Sequence, residues 1–245
     1  MNKQSIKTAN EKSPPRTKRD FAYNCILQKI LQECPQPGTP MREDYLAEEF
    51  GISTTPIREA LRKLELEGWL VNIPNCGSSI RVFSREEIGE LFRMREIYEG
   101  AAAALAAENA TDDDLQQMYD LLQKNQLMLA SRLQQDPNGS MSVPTEFDID
   151  FHEMLFSAAH SPLLYERYKA AQGQLKLLVM YGNDTPFALQ DMIRIHEEHQ
   201  MVFQAISRRW EDAAELLIRR HIANARNLVL ATRHEAEKKS SRQKK

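Results

Sequence analysis

The sequence predicts a mainly α protein in two parts, a winged helix-turn-helix domain at the N-terminus followed by an all-α bundle of six or seven helices. Three observations carry that expectation. Leu46 to Leu70 reads as two short helices around a tight turn. Trp69-Leu70-Val71 and Ser79-Ile80-Arg81-Val82 are short β-type runs separated by the turn formers Pro74-Asn75-Cys76-Gly77. From Ser84 onward the apolar spacing changes to long helical periods.

The first of the two short helices carries Leu46, Ala47 and Phe50 on one face and stops at Gly51, the residue that most easily turns left-handed after a helix. Gly51-Ile52-Ser53 is the turn. Ser53 or Thr54 can cap the next helix, and Pro56 falls in its first turn, where a missing N–H costs little. Ile57, Ala60, Leu61 and Leu64 then follow the spacing of a buried stripe and leave Arg58, Glu59, Arg62 and Glu65 facing out. A helix presented in this way fits a DNA major groove, and the two β-type runs behind it read as a wing.

Beyond the wing, Ser84 with Glu87 forms a capping box that opens a helix to about Asn109, and Thr111 with Asp114 opens another to about Gln134. Asp136-Pro137-Asn138-Gly139-Ser140 breaks the pattern, and helices follow near 145–159, 162–181, 187–207 and 210–236, with no strand expected among them. The domain reading is therefore a disordered basic arm at 1–20, the winged helix at 21–83, the helical domain at 84–237 and a basic tail at 238–245.

Charge supports this division. Residues 1–84 carry 12 Lys and Arg against 10 Asp and Glu, residues 85–237 carry 15 against 25, and residues 238–245 add five basic groups. Binding to a polyanion therefore has to be local to the winged helix and its arm, while the acidic body repels DNA and helps to orient docking. No apolar run approaches the roughly 20 residues that span a bilayer, and the polar start lacks the apolar centre of a signal peptide. A cytoplasmic protein without membrane contact is expected. Cys25, Cys34 and Cys76 show no paired metal spacing and read as reduced thiols.

Within the bundle, Asp148 and His152 stand one helical turn apart, His199 lies on a later helix near Phe203 and Ile206, and His221 lies on the last helix between Leu217 and Ala225. One carboxylate and three imidazoles can form a site with N and O ligands, suited to zinc or another late divalent metal. Spacing alone leaves open that each histidine is merely a hydrogen-bonded or exposed side chain. His196 is expected to face solvent beside Glu197 and Glu198, His160 to meet carbonyls at a helix end, and His234 to belong to the polar tail. Catalysis is not expected: position 156 is Phe where a zinc-protease helix needs His, and Ile149, His196 and Ile218 stand where a di-iron site needs Glu three residues before each histidine.

The run Pro37-Gly38, Leu46-Ala47, Gly51 through Leu61, Leu64-Glu65, Glu67-Gly68 and Pro74 through Gly77 resembles the winged-helix domain of GntR-type bacterial transcription regulators. That resemblance implies that Thr54, Thr55, Arg58 and Arg62 lie at the DNA and that Cys76 and Gly77 at the wing tip enter the minor groove. Many relatives have arginine where this chain has Thr54, so the operator is expected to differ.

Residues 85–235 resemble the ligand-binding domain of the FadR-type subgroup, the FCD domain, in its metal-containing form. The resemblance rests on Arg95 through Glu99, Asp148 through His152, Glu198-His199, Ala205-Ile206, Asp212-Ala213 and His221. It implies that Asp148, His152, His199 and His221 ligate a divalent metal, zinc first, with nickel or manganese as alternatives. It also implies that Arg95 and Glu99 serve a small organic acid effector, the arginine fork holding its carboxylate. The expected function is a homodimeric, ligand-responsive regulator on a pseudo-palindromic double-stranded DNA operator. The alternative is a regulator of the same fold whose larger acyl or aromatic effector needs no metal.

Overall fold

The computed structural model describes residues 17–136, 140–141, 145–181 and 187–243, with side chains for all of these except 140–149, 170–172, 179–181, 187 and 232–243. Two units are distinguished, Met1–Arg81 and Val82–Lys245.

The first unit starts with α1 (Lys18–Glu33), whose cap Thr17 accepts a hydrogen bond from the Asp20 N–H at 3.1 Å. Lys18, Arg19 and Asp20, which the sequence reading gives to the disordered arm, are therefore the first turn of a helix. Residues 1–16 of the arm lie outside the described residues. Ala22, Ile26 and Ile30 of α1 are buried, and the helix packs on α3 (Thr54–Leu66). Between them stands α2 (Glu43–Phe50), closed by Gly51 at φ 66°, whose N–H reaches the Ala47 and Glu48 carbonyls. Along α3 the buried residues are Pro56, Ile57, Ala60, Leu61 and Leu64, the stripe that the spacing predicts. Ser53 is the cap of α3 by backbone geometry but makes no side-chain capping bond.

The wing is an antiparallel pair, β1 (Leu70–Ile73) and β2 (Gly77–Ile80), with Leu70 opposite Ile80 and Ile73 opposite Gly77. β2 starts two residues earlier than the β-type run that the sequence displays. Pro74 and Asn75 (φ 64°) occupy the corner positions of a type II turn, closed by the Cys76 N–H on the Ile73 carbonyl at 2.9 Å. A strip of backbone from Gly38 to Met41 lies along the other edge of β2. It bonds there through Gly38 N–H to the Ile80 carbonyl (2.9 Å), Ile80 N–H to the Thr39 carbonyl (2.9 Å) and Met41 N–H to the Ser78 carbonyl (2.8 Å). Pro40 faces Ser79 in a single bridge, at a non-hydrogen-bonded position where its missing N–H costs no bond to β2.

The second unit holds six described helices: α4 (Arg85–Asn109), α5 (Asp112–Gln135), α6 (Thr145–Ala158), α7 (Pro162–Tyr181), α8 (Leu189–Ser207) and α9 (Glu211–Gln243). Both predicted capping boxes are present, at Ser84 with Glu87 and at Thr111 with Asp114. α9 runs on to Gln243, past the boundary set by the basic tail. Two strands that the sequence reading does not foresee, β3 (Ser140–Met141) and β4 (Phe187–Ala188), pair antiparallel. At two residues each they are too short to carry an alternating pattern.

α4 is the hub of this unit. It packs along α9 and also meets α6, α7 and α8. Its last turn contains no basic residue, and the cation is supplied instead by Arg209 in the turn before α9. That guanidinium donates to the carbonyls of Ala107 (3.2 Å) and Ala110 (2.6 Å). No described helix is long and apolar enough to cross a membrane.

Candidate metal centre and nucleic-acid interface

Three helices of the second unit each contribute one imidazole to a common point. His152 comes from α6, His199 from α8 and His221 from α9, with exposures of 2%, 0% and 1%. One ligand nitrogen from each lies within 4.8 Å of the others. His199 Nε2 and His221 Nε2 are 3.2 Å apart, and Phe151 stacks on the His199 ring at a centroid distance of 4.0 Å.

Two buried carboxylates stand behind these rings. Glu198 accepts from His221 Nδ1 at 2.8 Å and, with its other oxygen, from the Asn224 amide at 2.7 Å. Glu99 accepts from Arg95 Nε at 2.7 Å, and its second oxygen is ion-paired with His152 Nδ1. Arg95 Nη2 is 3.1 Å from His152 Nε2. Because arginine has no acceptor, His152 Nε2 presents its lone pair and Nδ1 carries the proton that Glu99 accepts. The same logic applied to Glu198 leaves a lone pair on His221 Nε2.

The electrostatics follow from these contacts. Burial raises the Glu99 carboxyl, but Arg95 and His152 outweigh it and hold the group at about 2. For Glu198, burial also pushes upward, while the hydrogen bonds from His221 and Asn224 prevail and keep the carboxyl below its ordinary range. Both groups are carboxylates at neutral pH and can accept from the imidazole N–H groups beside them.

The donor set fits a divalent metal. Two nitrogens bound to one tetrahedral zinc at about 2.0–2.1 Å stand about 3.3 Å apart, close to the spacing of the His199 and His221 Nε2 atoms. Three imidazoles without thiolate or a crowd of oxygens suit zinc or nickel and do not suit calcium or magnesium. Asp148 lies on α6, one turn before His152, but its side chain is outside the described residues.

Several residues fall elsewhere than the sequence reading has them. His196 is buried at 4% exposure rather than solvent-facing, because it lies four residues after buried Met192 and three before His199 on the inner side of α8. Burial lowers its pKa. Glu198, which the sequence reading gives no role at the site, is buried at 8% exposure and accepts from His221. His160 pairs with the Asp114 carboxylate at 2.7 Å instead of meeting helix-end carbonyls. His234 lies outside the described side chains. Glu99, assigned to the effector with Arg95, has both oxygens engaged by protein groups.

The residues assigned to DNA all lie on the surface of the first unit. Thr54, Thr55, Arg58 and Arg62 are exposed along α3, and Cys76 and Gly77 are exposed at the wing tip. Arg58 is held by Glu43, the first residue of α2, with Nε 3.0 Å from both carboxylate oxygens and Nη2 2.7 Å from one.

Comparison with known proteins gives this arrangement a family. Residues 18–80 match the bacterial regulatory proteins of the gntR family, and residues 90–224 match the FCD domain. The chain is similar to the Nta operon transcriptional regulator of Aminobacter aminovorans, with 26% identity over 189 residues that cover 76% of this chain and 82% of the relative. It is also similar to the HTH-type transcriptional repressor RspR of Escherichia coli strain K12, with 24% identity over 213 residues covering 87% and 89%. Among solved structures, E. coli McbR/YncC has the same fold, with a TM-score of 0.71 at 19% identity over 88% of this chain and 98% of that one. The chain thus belongs to the GntR family of transcription regulators, with a helix-turn-helix DNA-binding unit followed by an FCD domain.

Proposed function

We propose that the protein is a homodimeric, FadR-type regulator whose hold on DNA is set by a small carboxylate metabolite at a metal site in the FCD domain. It acts in the cytoplasm on a pseudo-palindromic operator, with one winged helix per half-site in major grooves about 34 Å apart. Thr54, Thr55, Arg58 and Arg62 face the groove, and Cys76 with Gly77 faces the adjoining minor groove.

The observation that carries the sensing half of this reading is the buried triad His152, His199 and His221, backed by Glu99 and Glu198. With Asp148 these residues would hold a divalent cation, zinc first and nickel or manganese as alternatives. Such a cation supplies open coordination positions for an effector oxygen. Arg95, on the same side of His152, supplies a fixed positive charge for the effector carboxylate, while Glu99 orients both Arg95 and His152. Four residues, 81–84, join the wing to α4, the helix that carries Arg95 and Glu99. Regulation requires the effector to favour one arrangement of the protein, with a typical coupling of about 1–3 kcal/mol.

Elemental analysis of the purified protein tests the centre. Wild type is expected to carry about one divalent ion per chain, and His152→Ala and His221→Ala to lose it. Full occupancy in both variants overturns the site. A metal-free wild type whose melting temperature rises with acyl or aromatic acids favours the metal-independent alternative.

A further inference from the structure

α3 presents two exposed arginines one turn apart, and their surroundings differ. Arg58 is clamped by Glu43 along the Nε–Nη2 edge of its guanidinium, at 3.0 and 2.7 Å. Arg62 has no ion-pair partner among the described residues. Glu43 is well placed for a single task. It opens α2, where the helix dipole favours a carboxylate, and the neighbouring cation Arg42 is drawn to Asp44 at 2.7 Å.

Two consequences follow for a helix that docks on DNA. Occupation of the Nε–Nη2 edge fixes the guanidinium plane and leaves the Nη1–Nη2 edge as the fork offered outward. A fork of that kind is what a guanine requires at O6 and N7, and an arginine already held in place loses less freedom in making the contact. The second consequence concerns charge. The Glu43 carboxylate cancels the long-range attraction of Arg58 for phosphate, so a clamped arginine is poorly suited to backbone contact, whereas Arg62 keeps its full charge.

We infer that Glu43 is a specificity-determining positioning residue, which orients Arg58 to read one guanine in each half-site and leaves phosphate attraction to Arg62. This rests on the docking of α3 in the major groove proposed above.

The test uses the full chain and a pool of randomised duplexes. Fluorescence anisotropy then follows on the preferred duplex, the same duplex with the selected guanine replaced, and a scrambled one, each over a range of salt. Glu43→Gln is expected to lose roughly tenfold or more of the preference for guanine. Its binding to the scrambled duplex should tighten, with a slope of log K against log salt steeper by up to about 0.9 for each half-site. Glu43→Asp, with a shorter arm, should fall between. Arg62→Ala should weaken all three duplexes alike and flatten the slope.

A Glu43→Gln protein with an unchanged guanine preference overturns the inference. So does one that binds every duplex less well and melts earlier, because that is the mark of a purely structural role. An Arg58→Ala protein that retains the preference also overturns the inference, whereas full affinity for every duplex in both Arg58→Ala and Arg62→Ala overturns the docking of α3 itself, so the two failures are distinguishable.

Discussion

Each unit of the protein joins an arginine to a glutamate, and the two pairs have opposite surroundings. The side chains of Arg58 and Glu43 keep 55% and 37% of their exposure, whereas those of Arg95 and Glu99 keep 5% and 0%. Water and salt screen the first pair, so it adds little to stability and its effect is on where a guanidinium points. The second pair is out of reach of water and carries a desolvation cost that a single contact offsets poorly. It persists because Glu99 also holds His152 Nδ1, so both oxygens of the buried carboxylate are engaged. The same two side chains thus make a surface instrument in one place and a rigid frame for a site in the other.

Removing the buried carboxylate should have the largest effect. Glu99→Gln leaves Arg95 buried without its counter-charge and is expected to cost about 3–5 kcal/mol of folding stability, read by thermal or urea denaturation. A loss no greater than that of a surface substitution would erase the contrast between the pairs. Replacing Arg95 and Glu99 together by methionine should recover much of the loss, because the desolvation cost disappears with the charges. The pH dependence has a definite sign. The folded-state pKa of Glu99 is depressed to about 2 from an ordinary 4.5, so the stability it contributes is complete above pH 4.5 and is lost as pH falls from there toward 2. Glu198, also depressed, acts in the same direction. The Glu99→Gln protein should show a flatter acid limb.

At the exposed pair the expected pattern is reversed. Arg58→Ala should weaken binding to the preferred duplex by roughly tenfold or more per half-site while the melting temperature stays where it was. A drop in melting temperature like that of Glu99→Gln would make the surface pair structural after all. The smallest expected effect lies behind His221. Glu198→Gln should lower metal affinity about 10- to 100-fold without changing the number of ions bound, measured by competition with a chromophoric chelator. Unchanged affinity would remove Glu198 from the orienting role.

What the sequence could reveal was decided by whether a signal is local. Gly51, Pro56 and the stripe from Ile57 to Leu64 announce the helix-turn-helix within a few residues, and Ser84-Glu87 and Thr111-Asp114 announce the starts of two long helices. The pairs that join distant elements have no such signal. Glu43 meets Arg58, Glu198 meets His221 and Glu99 meets His152 only after helices have docked. His196 is a different case, because its register with Met192 and His199 already marks the inner face of α8. Its acidic neighbours Glu197 and Glu198 suggest a solvent-facing side, yet Glu198 is itself buried, at the edge of the stripe formed by Ile195, His199 and Val202. The strands β3 and β4, two residues each, lie below the length at which alternation can be recognised.

The order of the chain adds a last consequence for a nascent polypeptide. The winged helix is complete by Ile80, whereas the histidine cluster draws on α6, α8 and α9 and waits for His221. Domains emerge and fold from the N-terminus during synthesis. Each molecule therefore completes its helix-turn-helix unit well before the histidine cluster can close, and translation that stops short of α9 leaves the winged helix without that cluster.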